Sequence, residues 1–133
     1  MNTSAGASGG AAPGRRILLV DDSVDAALAL SMLLEALGNE VRTEHDGPRA
    51  LAALDDFKPD VVVLDIGLPG MNGFDVAREM RKRAATKDAL LLALTGWGSD
   101  ADRQSALDAG FDRHLTKPVT IADLEAALAA GRP

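Results

Sequence analysis

The run Val61-Val62-Val63-Leu64 offers no polar residue to water on either side, and it ends in Asp65. A strand with one wet face alternates apolar and polar residues. A continuous apolar run belongs instead to a strand covered on both faces, the situation of a parallel sheet with helices above and below. Ile17-Leu18-Leu19-Val20 repeats the pattern and also ends in carboxylate, at Asp21-Asp22. Two buried strands tipped with acid gather negative charge in one place. Carboxylates held a few ångströms apart disfavour each other's ionised form, and Mg²⁺, with its preference for oxygen ligands, relieves that repulsion. The chemistry indicated is that of phosphate.

Strand-like and helical segments alternate along the rest of the chain. Strands are expected at residues 16–20, 40–44, 61–64, 90–94 and 112–115. In the first helix, residues 24–37, Ala26, Ala29, Leu30, Leu33 and Leu37 share a face and are expected to point inward, with Gly38 as the stop. Pro48 suits the first turn of a second helix running through Leu51 and Leu54 to Phe57. The third, residues 73–83, carries Phe74, Ala77 and Met80 along one side. The fourth starts at Ser99 or Asp100 and stops at Gly110. Thr120 caps the fifth, with Asp123 three residues on and Ile121, Leu124 and Leu128 facing inward. Five β–α repeats imply a single α/β domain: a doubly wound, flavodoxin-like (βα)5 parallel sheet of strand order 2-1-3-4-5. Strands 1 and 3 are then neighbours where the winding reverses, and ligands bind at the carboxyl ends of strands beside such a point. Asp21, Asp22 and Asp65 all fall there.

A length of 133 residues fits one domain. Residues 1–14, rich in Gly, Ala and Ser and without an apolar h-region, are expected to be a flexible tail ahead of a domain over 15–133, not a signal peptide. No apolar run approaches the length of a membrane span. With 14 basic and 20 acidic residues the net charge is -6, which gives no general attraction to nucleic acid or anionic membrane. The absence of cysteine excludes disulfides, thiolate zinc sites and a thiol nucleophile, and fits a reducing, cytoplasmic setting.

Asp21-Asp22 after strand 1, Asp65 after strand 3, Thr95 after strand 4 and Lys117-Pro118 after strand 5 together resemble the receiver domain of two-component response regulators (the CheY-like fold). The segment from Asp65 through Gly67 and Pro69 to Gly73, and Ala109-Gly110-Phe111 ahead of strand 5, are similar as well. The likeness covers about residues 15–130. It implies that Asp65 is a phosphoacceptor, loaded from the phosphohistidine of a histidine kinase or histidine phosphotransfer protein in a phosphorelay. It implies a Mg²⁺ site, with Mn²⁺ as a substitute, made by Asp22 directly, Asp21 mainly through water, Asp65 and the backbone carbonyl of Gly67. Lys117 would reach a phosphoryl oxygen, oriented by a cis bond to Pro118, and Thr95 would be the switch hydroxyl. His114 stands where the family more usually has Tyr or Phe as its conformational switch. Trp97 and Gly67 occupy positions that modulate water access to the phosphoryl group, Trp97 serving equally well as a partner contact.

Taken singly, each of these residues has a plainer role. Asp22 suits a helix N-cap, although Ser23 can serve instead. Thr95 suits a strand end, Lys117-Pro118 an ordinary loop, and His114 a polar position on an edge strand. Arg78, Arg81, Lys82 and Arg83 complement the dipole at a helix C-terminus, and His45 and His114 are too isolated to nominate a zinc site. The expected function is a phosphorylation switch rather than a turnover enzyme. It would signal to a downstream protein through helix 4, strand 5 and helix 5, with no nucleic-acid or membrane partner and homodimerisation left open. The alternatives are a degenerate receiver that only docks, and an Asp-nucleophile phosphatase, which would want an acid where Gly67 stands.

Overall fold

The structure, a computed structural model, describes residues 14–96 and 100–132, without the side chains of 100–102. The tail proposed for residues 1–14 (apart from Gly14), Trp97 and the alternative helix start at Ser99 lie outside the described residues. In chain order the elements are β1 Arg16–Val20, α1 Val24–Ala36, β2 Glu40–Glu44, α2 Gly47–Phe57, β3 Val61–Asp65, α3 Gly73–Lys82, β4 Leu90–Thr95, α4 Asp100–Ala109, β5 Arg113–Thr116 and α5 Ile121–Ala130. All pairings are parallel and the sheet order is β2-β1-β3-β4-β5, the expected 2-1-3-4-5.

The apolar strands feed two cores. Leu18, Val62 and Leu91 point to one face and pack with Leu54 and Phe57 of α2, Val76 and Met80 of α3 and Ala106 of α4. Ile17, Leu19, Val63 and Leu92 point to the other, against Leu30 and Leu34 of α1 and Leu124 and Leu128 of α5. At about 1.5–3 kcal/mol for each buried aliphatic side chain, this two-sided burial is what holds the central strands flat against both helical layers. Side-chain caps fix the helix starts, with Ser23, Asp46, Asn72 and Thr120 each accepting a backbone N–H of the first turn.

Two inward faces differ from expectation. In α1 the buried residues are Ala27, Leu30, Ser31 and Leu34, while Ala26 and Ala29 are exposed and Leu33 and Leu37 half-buried. The helix is apolar nearly all round, with Val24, Leu28 and Met32 about 60% exposed, so periodicity alone does not select a face. Ser31 is tolerated inside because its hydroxyl donates to the Leu28 carbonyl at 2.9 Å. Ile121 is 45% exposed; as the first residue of α5 it precedes the turn that meets the sheet. β5 is also shifted by one residue from 112–115: Asp112 donates its N–H to the Leu91 carbonyl, but its carboxylate rather than its backbone answers the Leu91 N–H.

That carboxylate belongs to a cluster at the end of the sheet opposite Asp65. Arg81, the last inward cation of α3, donates to the carbonyls of Gly110 at 2.8 Å and Ala89 at 2.7 Å and to Asp112 Oδ2 at 2.8 Å. Asp112 Oδ2 also accepts the Leu91 N–H at 2.9 Å. Arg81 is therefore a structural tie and not only a complement to the helix dipole. Arg81→Lys keeps the charge but not the planar fork, and is expected to cost about 2 kcal/mol in urea denaturation, because a partly buried acid loses its matched partner. An unchanged midpoint would refute the tie.

No helix among the described residues is long and apolar enough to cross a membrane.

Candidate functional site

The sheet order brings the acidic residues together. β1 lies beside β3, with Val20 opposite Leu64, and β4 lies on the other side of β3, with Asp65 opposite Leu94. Asp21, Asp65 and Thr95 thus emerge at one end of three adjacent strands. Beyond β5 the chain is held to β4 by the Lys117 N–H, which donates to the Thr95 carbonyl at 2.8 Å, and the Lys117–Pro118 peptide is cis. Lys117 Nζ reaches Asp65 Oδ2 at 2.7 Å and lies 4.0 Å from Asp21 Oδ2.

The loop after β3 folds back on Asp65. The Gly67 N–H donates to Asp65 Oδ1 at 2.8 Å. At Gly73, in the first turn of α3, a Cβ would overlap Ile66 Cα and come within 2.8 Å of the Asp65 carbonyl oxygen, so the helix approaches the Asp65–Ile66 peptide as only glycine allows. Gly67 leaves space instead: a Cβ there would lie 3.4 Å from Asp65 Oδ1, in ordinary contact.

One carboxylate oxygen from each of Asp21, Asp22 and Asp65 lies within 4.8 Å of the others. Asp21 and Asp65 are buried, at 2% and 7% exposure, while Asp22 is exposed. Ser23, not Asp22, caps α1, which leaves the Asp22 carboxylate for other work. Burial raises the Asp21 carboxyl above its usual value, and the charges of Asp65 and Asp22 add to this; the Ser23 N–H at 2.9 Å and Lys117 oppose it. Burial pulls Lys117 down, but its hydrogen bond to Asp65 and the charges of Asp65, Asp21 and Asp22 outweigh that and hold it above the usual lysine value. Three convergent oxygen donors, one of them made reluctant to ionise, fit Mg²⁺, which takes carboxylate oxygens and keeps several waters.

The sign of the Asp21 shift gives a prediction. A folded carboxyl that keeps its proton to higher pH than the unfolded one contributes stability that is complete below the unfolded value of 3.8 and is lost as pH rises through the folded value. Above that folded value, ionised Asp21 opposes the metal-free fold. Asp21→Asn, which retains an oxygen for the Ser23 N–H, is expected to stabilise the metal-free protein by about 1 kcal/mol at neutral pH. The gain should disappear in acid, and Mg²⁺ should stabilise the variant less than the parent. Melting curves with and without Mg²⁺ check this; a variant less stable than the parent at neutral pH would contradict it.

The Thr95 hydroxyl is the one buried side-chain polar atom among the described residues without a hydrogen-bond partner. Such a group costs about 1–3 kcal/mol where no partner reaches it. His114 sits on the outer edge of the sheet, half-buried beside α4. Burial first, and the charge of Arg103 second, lower its tendency to take a proton. It lies on β5 and not in the acidic cluster. His45 does reach that cluster: its Nδ1 is 2.9 Å from the Asp21 carbonyl. The signal for that contact is its place, one residue past strand 2, which the 2-1-3 order sets beside the end of strand 1.

Residues 17–129 match the family model described as the response regulator receiver domain. The transcriptional regulatory protein TcrA of Mycobacterium tuberculosis is 40% identical over 121 residues, covering 91% of this chain and 47% of that protein. The chain spans about half the length of the curated relatives it matches. Among solved structures, the chemotaxis response regulator CheY4 of Vibrio cholerae superposes with a TM-score of 0.83 at 31% identity, over 88% of this chain and 98% of that one. The receiver domain of the sensor histidine kinase PA1611 of Pseudomonas aeruginosa, which has a magnesium ion coordinated in its active-site cleft, gives 0.81 at 30% identity over 88% and 96%.

Proposed function

The chain belongs to the response regulator receiver domain family, and on that premise we propose that Asp65 is its phosphoacceptor, loaded from a phosphohistidine and assisted by Mg²⁺. The observation that carries the proposal is the pairing at Asp65: an ammonium 2.7 Å from one carboxylate oxygen, inside a cluster that two further carboxylates make acidic. An isolated surface aspartate has no use for such company.

In the step itself an Asp65 oxygen forms the new P–O bond while the P–N bond of the phosphohistidine breaks, and the leaving imidazole keeps the electron pair. Asp22, Asp21 through water, Asp65 and the Gly67 carbonyl would hold Mg²⁺, which supplies positive charge to the phosphoryl oxygens. Lys117 is released from its pairing with the Asp65 carboxylate to hold a phosphoryl oxygen, a task suited to a compact charge on a long stem. The Thr95 hydroxyl gains the acceptor it lacks, and drawing it inward would move the loop after β4. Gly67 leaves one side of the acyl phosphate open to water, so the phosphorylated form decays by hydrolysis of its own product and the protein acts as a switch without turnover.

The donor would be a histidine kinase or histidine phosphotransfer protein in the cytoplasm, and the output a protein contact through α4, β5 and α5. Acetyl phosphate with Mg²⁺ tests the chemistry. The expected result is about one phosphoryl group per chain, abolished by EDTA. Continuous phosphate release from unrelated esters would replace this reading with a phosphatase, and absence of any label with a docking module.

A further inference from the structure

His45 takes no part in the chemistry above, yet it is bonded to the peptide at the centre of the acidic site. β1 and β2 pair in register from Arg16 opposite Glu40 to Val20 opposite Glu44. One residue further, the Asp21 N–H still donates to the Glu44 carbonyl at 3.1 Å. The Asp21 carbonyl then meets the His45 ring, with Nδ1 at 2.9 Å. A carbonyl oxygen only accepts, so Nδ1 carries the proton. The neutral tautomer and the doubly protonated ring both supply that donor, so the bond does not depend on the ring's charge. The imidazole adds one more rung to the ladder, with a side chain in the place of a backbone N–H.

The peptide it holds joins Asp21 to Asp22. A peptide unit is planar, so fixing the Asp21 carbonyl also fixes the direction of the Asp22 N–H and the point from which the Asp22 side chain departs. The Asp21 carboxylate has its own anchor in the Ser23 N–H at 2.9 Å. Asp22 is exposed and depends more on its backbone for placement. We propose that His45 is a positioning residue: through its bond to the Asp21 carbonyl it sets the peptide that aims the Asp22 carboxylate at the cation site. The inference rests on the reading that Asp21 and Asp22 hold Mg²⁺.

The test uses the full chain with His45→Ala and His45→Asn, since the Asn amide can donate from nearly the same place as Nδ1. In the metal-free protein, the ¹⁵N order parameter of the Asp22 amide is expected to fall from the rigid range near ~0.85 toward ~0.6 in the Ala variant and to recover in the Asn variant. In calorimetric titrations with Mg²⁺ alone, the Ala variant is expected to bind about fivefold more weakly, the weight of one net hydrogen bond, and the Asn variant within about twofold of the parent. An Asp22 amide as rigid in the Ala variant as in the parent overturns the proposal. So does Mg²⁺ affinity unchanged by Ala, or an Asn variant as impaired as the Ala one. A parent chain that binds no Mg²⁺ would instead overturn the metal reading, and the metal-free amide measurement would then decide the role of His45 by itself.

Discussion

Asp65→Asn takes no phosphoryl label from acetyl phosphate: the expected drop is at least about 10³-fold, the order seen when a reacting nucleophile is removed. The amide is nearly the same size as the carboxylate and can still accept the Gly67 N–H, which lies 2.8 Å from Oδ1. The strand and its core contacts therefore stay in place, and the variant should unfold cooperatively. What is lost is the charged oxygen proposed to attack phosphorus, together with one of the three carboxylates whose oxygens lie within 4.8 Å of one another. Mg²⁺ affinity should fall as well. Phosphoprotein electrophoresis or mass spectrometry of the intact chain reads the first effect and calorimetry the second. Full labelling of the Asn variant would mean that another residue accepts the phosphoryl group, and the assignment of Asp65 would have to be abandoned.

Gly73→Ala is expected to disturb both fold and chemistry although residue 73 touches no phosphate. The added Cβ would strike Ile66 Cα and the Asp65 carbonyl oxygen, which are backbone atoms and cannot turn aside as a side chain would. Overpacking costs about 1–3 kcal/mol, and a backbone-on-backbone contact belongs at the upper end, about 3 kcal/mol. Relief comes by pushing α3 and the Asp65–Ile66 peptide apart, which moves the Asp65 carboxylate. A misplacement of about an ångström costs about 10²-fold in rate. Urea denaturation measures the first effect and the rate of labelling by acetyl phosphate the second. A variant that matches the parent in both would show that the helix can shift without consulting the site.

Much of the design was legible in the residues. Consecutive apolar positions at 17–20 and 61–64 announced strands buried on both faces, and the carboxylates that follow them pointed to where charge would gather. Thr95 and Lys117 became informative only as ordered members of a family pattern, since neither type at a strand end says much by itself. The misread face of α1 has a physical cause: a helix with Val24, Leu28 and Met32 outside and Ala27, Leu30 and Leu34 inside carries little amphipathic signal. Arg81 and His45 were illegible for a different reason. Their meaning lies in backbone carbonyls that they reach across the fold, 29 and 24 residues away in sequence. Unlike helix caps, side-chain contacts with backbone that is distant in sequence leave no pattern of residue types.

Arg81 has a mechanical consequence. It grips the carbonyl of Gly110, the residue that follows α4, while its aliphatic stem fills the space where a Cβ on Gly110 would stand. It also holds Asp112, at the foot of β5, and Ala89, just before β4. α4 is thus tied down at its C-terminal end, the end far from Asp65. If the proposed switch acts on α4, this tie would resist sliding of the helix along the sheet more than pivoting about Gly110. A displacement produced by such pivoting would grow with distance from Gly110.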